Sequence, residues 1–233
     1  MSQILAVRRL ERLPFLRHGF GDSSWKNKDL RLLAERLGFQ LILLRQVHSD
    51  TVHFIEERPQ RTLRGDAAVT RLPGLLLVIR TADCLPVLLV DEKKRVVAAV
   101  HCGWKGTSRR VLEKVVLGMQ ERYGADPGAI MVALGPCIGK DCYEVGEDVR
   151  RAFAAPELPD SAFRPVTGRK DKFLFDLRSA NRLQLLELGV KAGNIFSVDI
   201  CTHCHPDYPS YRRDRDPCGR MLSFIGLTAP RFL

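Results

Sequence analysis

Three residues in this 233-residue chain, His48, Cys84 and His101, have the types that together could hold a metal ion. Two imidazoles and a thiolate suit Zn²⁺. Three protein ligands leave a fourth position open for water or substrate, which marks a catalytic rather than a structural zinc. Water at such a site is acidified towards neutral pH and becomes available as a nucleophile. Copper is the rival, because two histidines and a cysteine are also the equatorial set of a blue-copper site. Such a site wants a weak axial ligand, often Met, and the local motif has none. The same residues also fit a metal-free Cys–His nucleophile and base, or a plain buried thiol with two hydrogen-bonded histidines.

These side chains must be positioned by the stretch Leu75–Gly106. It holds two apolar runs, Leu85–Val90 and Arg95–Val100, around Asp91-Glu92-Lys93-Lys94. Short β-branched runs about a polar four-residue loop predict a β-hairpin. If Val90 faces Arg95, then Cys84 lies opposite His101, with Cα atoms about 4.5–5.5 Å apart on one sheet face. His48 sits in a polar turn between predicted strands Leu41–Val47 and Thr51–Glu56.

Elsewhere the pattern predicts helices over Lys28–Leu37, over the segment carrying Val111, Leu112, Val115, Val116 and Met119, and over Leu177–Leu188. The second of these is expected to be capped by Thr107 or Ser108 and stopped by Gly124, and the third to be capped by Asp176. Gly65-Asp66 is a turn leading into Ala67–Thr70, further strands are expected at Ile130–Leu134 and Ile195–Ile200, a helix from Gly146 to Phe153, and Met221–Leu227 is a final apolar piece. There is no regular βα repeat and no Gly-x-Gly-x-x-Gly. The expected fold is therefore α+β, a single domain over residues 1–233 with mixed β-sheets flanked by helices.

Composition sets the remaining bounds. A formal net charge of +10 favours anionic partners. The Lys and Arg residues are scattered, however, so a solvated basic surface or an anionic small substrate is expected rather than nucleic acid. No apolar run is long enough to span a bilayer, and no membrane partner is expected. The first twenty residues lack the apolar core of a signal peptide, and seven cysteines is an odd number, so the expected compartment is the cytoplasm, with no disulfide framework.

Several motifs carry a resemblance. Gln46-Val47-His48, Gly65-Asp66-Ala67, Thr81-Ala82-Asp83-Cys84-Leu85-Pro86 and His101-Cys102-Gly103-Trp104-Lys105-Gly106 occur in this order. Gly135-Pro136-x-Ile138, Tyr143-Glu144-Val145, Asp176-Leu177, Ser210-Tyr211-Arg212-Arg213-Asp214 and Gly219-Arg220 continue the series. Together they resemble the YfiH/YlmD family, the laccase-domain or multicopper polyphenol oxidase-like group of purine nucleoside phosphorylases.

The resemblance implies a YfiH-like domain with its site in a surface cleft and a metal on His48, Cys84 and His101. It also implies phosphorolysis of adenosine, inosine, guanosine and methylthioadenosine, and hydrolytic deamination of adenosine. The partners would be purine nucleosides and phosphate, in a monomer or weak homo-oligomer. Asp83, Gln46 and Asp66 would orient imidazoles or shuttle protons, and Arg45, Arg212, Arg213 and Arg220 are candidates for the phosphate. The older description of the group implies copper and phenols instead. One departure stands out. Where the family usually follows His-Gly-Phe with Ser-Thr-Arg, His18-Gly19-Phe20 leads here to Gly21-Asp22-Ser23-Ser24-Trp25, and the arginine is missing.

A second cluster, Cys201-x-x-Cys204 with His203, His205 and Cys218 nearby, has half of the paired motif that a structural zinc usually shows. Cys102, Cys137 and Cys142 are expected to be buried or partly exposed thiols.

Overall fold

A computed structural model describes residues 4–153 and 162–229. Its centre is a six-stranded sheet with spatial order Ile195–Ser197, Met131–Leu134, Leu85–Asp91, Val96–Cys102, Ala67–Thr70 and Val52–Ile55. The two outermost pairings are parallel and the rest antiparallel. A five-stranded sheet, Ile4–Leu5, Leu16–Gly21, Met221–Leu227, Leu75–Thr81 and Gln40–Leu43, packs against it. The fold is thus mixed sheets with helices, as expected.

Period-2 alternation explains how apolar runs build four layers. Leu85, Val87 and Leu89 face helices Val111–Tyr123 and Leu177–Glu187, while Leu88 and Val90 face the five-stranded sheet. Within the second sheet, Leu75, Leu77 and Ile79 meet the first, whereas Leu76 and Val78 meet helix Asn27–Leu37. Both faces of the central strands are covered, which is why they read as unbroken apolar runs. A small antiparallel sheet, Glu144–Gly146, Arg169–Phe175 and Phe163–Val166, completes the outer layer on the helical side.

The hairpin forms, but not in the expected register. Asp91 pairs with Val96, so the loop is Glu92–Arg95. Buried Asp91 stays in the strand, where its carboxylate accepts the Lys94 N–H at 2.9 Å. Arg95 takes a left-handed φ of 51° and closes the turn. Pro86, rather than Cys84, therefore opposes His101, and Cys84 precedes the strand.

The helix beginning at Val111 also starts differently. Thr107 lies inside a preceding short helix, Trp104–Ser108, and Arg110 in left-handed conformation precedes Val111. Strands at Gln40–Leu43 and Ile195–Ser197 end earlier than the apolar pattern suggests. Among the described residues no helix is long and apolar enough to cross a membrane.

Candidate metal centre and cleft

Local backbone geometry aims each of the three expected ligands. His48 has a left-handed φ of 55°, a conformation in which successive N–H groups can converge on one anion. That anion is the Asp66 carboxylate. It accepts the N–H groups of Val47 at 3.3 Å, His48 at 3.0 Å and Ser49 at 2.6 Å, and the Ser49 hydroxyl at 2.6 Å.

Asp66 also positions the second histidine. Its carbonyl accepts the His101 N–H at 2.7 Å, and its Oδ1 lies 2.8 Å from His101 Nδ1. A carboxylate can only accept, so Nδ1 carries a proton and Nε2 is the nitrogen turned towards the site. The His48 and His101 rings meet edge to face at 4.8 Å between centroids.

Cys84 follows Asp83, whose φ is 81°. The Asp83 carboxylate is taken up by the Thr202 hydroxyl at 2.7 Å and the Arg212 N–H at 2.7 Å, and its carbonyl by the Ile138 N–H at 2.9 Å. Asp83 thereby ties three segments to the residue before the cysteine.

The donor atoms of His48, Cys84 and His101 all lie within 4.8 Å of one another. They converge beside Gly103, where a Cβ would stand 3.1 Å from the Cys84 sulfur, 3.2 Å from His48 Nδ1 and 3.7 Å from His101 Nε2. A cradle of two nitrogens and one sulfur that only a glycine leaves clear fits a divalent metal ion.

The electrostatics agree with that donor set. Burial alone would raise the Asp66 carboxyl, but hydrogen bonds from His101 and Ser49 outweigh it and hold it well below the usual carboxylate range. Burial would lower His101, but the Cys84 sulfur and the hydrogen bond to Asp66 raise it to about 9. Lost hydration would raise the Cys84 thiol, yet the charge of His101 and hydrogen bonds from both rings bring it down to about 6. The two shifts favour a thiolate on Cys84 and an imidazolium on His101. A cation held here would take the place of the proton between them.

A cavity of about 680 Å³ opens onto the three ligands. Of the expected substrate residues, Gln46, Arg212 and Arg220 line it; Asp66 lies beneath the histidines, wholly buried. Gln46 is fixed by paired bonds to the Arg80 backbone, each 2.8 Å. The Arg212 guanidinium donates to the Glu144 carbonyl at 2.9 Å.

Arg45 and Arg213 do not line the cavity. Arg45 pairs through its backbone with Arg64. The Arg213 guanidinium is spent on the carbonyls of Thr202, His203, His205 and Tyr208 and on Asp214, where it braces a loop.

Of the lining residues that were not among the sequence candidates, Arg80, Tyr143 and Tyr211 carry the side chains best suited to hold a substrate. Arg80 left a trace in the sequence, since it is the one exposed residue of the otherwise buried strand Leu75–Thr81. Burial, with Cys84 and Asp83 nearby, pushes the Tyr143 hydroxyl above its ordinary range, so it remains protonated.

The chain matches the family model described as multi-copper polyphenol oxidoreductase laccase over residues 20–228. It is 41% identical to "Adenosine deaminase RL5" from an unknown prokaryotic organism, over 88% of this chain and 83% of that one. It is 37% identical to "Purine nucleoside phosphorylase YfiH" of Escherichia coli (strain K12), over 88% and 82% of the two chains. A crystal structure of the Bacillus licheniformis hypothetical protein YfiH superposes with a TM-score of 0.88 at 26% identity, covering 98% of this chain and 97% of that one. YlmD from Geobacillus stearothermophilus superposes with a TM-score of 0.83 at 27% identity, covering 98% and 100%.

Proposed function

Because the chain belongs to the multi-copper polyphenol oxidoreductase laccase family, the YfiH/YlmD group, we propose that it is a zinc-dependent enzyme of purine nucleosides. In this reading it cleaves adenosine, inosine, guanosine and methylthioadenosine with phosphate and also deaminates adenosine. The observation that carries the reading is the convergence of His48, Cys84 and His101 on one wall of a cleft whose rim bears Arg80, Arg212 and Arg220.

His48 Nδ1, the Cys84 sulfur and His101 Nε2 would hold the zinc, which supplies Lewis acidity and makes water a nucleophile near neutral pH. Asp66 keeps His101 in the tautomer that presents Nε2, and a buried carboxylate behind a ligand histidine also raises its basicity. Asp83 acts as a positioning residue, because both of its oxygens already accept hydrogen bonds that fix the cysteine's approach.

The guanidinium groups of Arg80, Arg212 and Arg220 match the bidentate geometry of phosphate. Tyr143 and Tyr211 offer rings to the flat purine. Held against the ribose, phosphate attacks C1′ as the bond to the purine breaks. The developing negative charge on the purine needs a donor in place before the bond yields, and the protonated Tyr143 hydroxyl is a candidate.

The Cys84–His101 pair also supports a second reading, a metal-free thiolate nucleophile with an imidazolium partner. Metal content separates the two. Purified, metal-quantified protein should convert adenosine to adenine only with phosphate present, and to inosine without it. Zinc-loaded protein that yields neither product overturns the reading, and full activity in Cys84→Ala overturns the site.

A further inference from the structure

The fold builds a second group of sulfur ligands outside the cleft. Cys142, Cys201 and Cys204 place their sulfurs within 4.8 Å of one another, and the sulfurs of Cys142 and Cys204 are 3.2 Å apart. The Cys201-x-x-Cys204 pair is visible in the sequence, but the third sulfur is Cys142, from a turn 59 residues before Cys201, rather than His203, His205 or Cys218.

Backbone bonds hold the three cysteines in place. Thr202 N–H donates to the Cys137 carbonyl at 3.1 Å and Cys137 N–H to the Ile200 carbonyl at 3.3 Å, which aligns the 201–205 loop with the 137–139 loop. Cys142 N–H closes on the Gly139 carbonyl at 2.9 Å. Gly139 N–H in turn points at the Cys201 sulfur, 3.1 Å away. A side chain at residue 139 would press on that sulfur and on the Cys201 Cβ, 3.1 and 3.2 Å from its own Cβ. An N–H aimed at a sulfur favours the thiolate, the form that binds metal.

We propose that Cys142, Cys201 and Cys204 form a second metal site, which holds a thiophilic divalent cation, with Zn²⁺ as its ordinary occupant. Thiolates about 2.3 Å from a tetrahedral zinc stand about 3.8 Å from one another, within the spread that these sulfurs already show. Each thiol that binds releases its proton to solvent. Cys204 is exposed, so water or an exogenous ligand completes the fourth position.

Three sulfurs favour this over a disulfide, since any pairing strands one thiol. The site also has a structural consequence. Cys142 adjoins Tyr143 on the cleft wall, and Cys201 adjoins Thr202, which holds Asp83. A cation here clamps both segments behind the first centre without touching the cleft.

The test uses full-length protein made in zinc-replete medium and purified under reductant. Wild type should carry about two zinc equivalents, Cys204→Ser and Cys142→Ser about one, and Cys84→Ala about one. Cobalt-loaded Cys84→Ala should show an intense sulfur-to-cobalt charge-transfer band, which Cys84→Ala/Cys204→Ser loses. Chelation should lower the melting temperature of Cys84→Ala but not that of the double variant. Cys84→Ala protein that is metal-free with three freely alkylated thiols overturns the proposal. So does a Cys142–Cys204 disulfide in the reduced preparation. Should Cys84→Ala fail to fold, a zinc content that is equal in wild type and Cys204→Ser overturns it as well.

Discussion

Asp66 and His101 are joined twice, carbonyl to backbone N–H at 2.7 Å and carboxylate to ring Nδ1 at 2.8 Å, so one buried residue fixes both the position and the tautomer of a candidate metal ligand. The same carboxylate holds the turn that presents His48. Two of the three ligands therefore depend on one side chain.

Asp66→Asn should weaken metal binding by about 10–100-fold, the usual cost of removing the partner behind a ligand histidine. Asp66→Ala should in addition lose roughly 2–4 kcal/mol of stability, because the part-buried N–H groups of the 47–49 turn lose their acceptor. Metal titration and chemical denaturation of both variants measure the two effects. An Asp66→Asn protein with undiminished affinity would show that His101 needs no support.

Gly103→Ala isolates the metal from the fold. The backbone there, φ −80° and ψ 168°, accepts any residue, yet the new methyl would stand 3.1 Å from the Cys84 sulfur. Metal affinity and turnover should fall at least about tenfold, while stability in metal-free form changes by less than about 1 kcal/mol. Zinc content and denaturant midpoints of wild type and variant decide it.

The arginines of the rim should separate the two reactions. Arg80→Ala and Arg220→Ala are expected to raise the KM for phosphate about tenfold or more, since each removes a charge-assisted contact. Deamination of adenosine, which uses no phosphate, should change several-fold less. Equal losses in both reactions would mean that these residues hold the nucleoside instead.

His18 makes stability depend on pH. Burial holds its imidazole down at about 4, against 6.5 in the open chain, and its Nε2 accepts the Val7 N–H at 3.0 Å. Between those values the unfolded chain binds more protons than the folded one, so stability rises with pH across this window. The contribution is complete above about pH 6.5 and is lost as the pH falls towards 4, on the order of 3 kcal/mol in all. His18→Gln should flatten that part of the denaturation-against-pH curve. A curve of unchanged slope would place the proton dependence elsewhere.

Cys84 and His101 also show why a wrong register still brought two expected ligands together. The hairpin loop lies one residue further along than the polar tetrapeptide suggested, so His101 faces Pro86. The displacement moves the opposing partner by two positions, and two positions on a strand return to the same face. Cys84 continues the face of Leu88 and Val90, and His101 that of Val97 and Ala99, both towards the five-stranded sheet. Face parity, which brings the two side chains to one side of the sheet, survived the error.

The sequence by itself determined the apolar runs, the turn residues and the three candidate ligands, because these depend on residue type and on spacing within short segments. It also carried the family motifs, whose order needs no coordinates. Tertiary structure decided which distant segments meet. Cys142 joins Cys201 and Cys204 only because the turn at 139–142 and the loop at 201–205 pack side by side. Tertiary structure also sorted the arginines. Arg213 turns inward to brace backbone carbonyls while Arg80 and Arg212 line the cleft, and the direction of a side chain is set by packing between segments that local sequence does not encode.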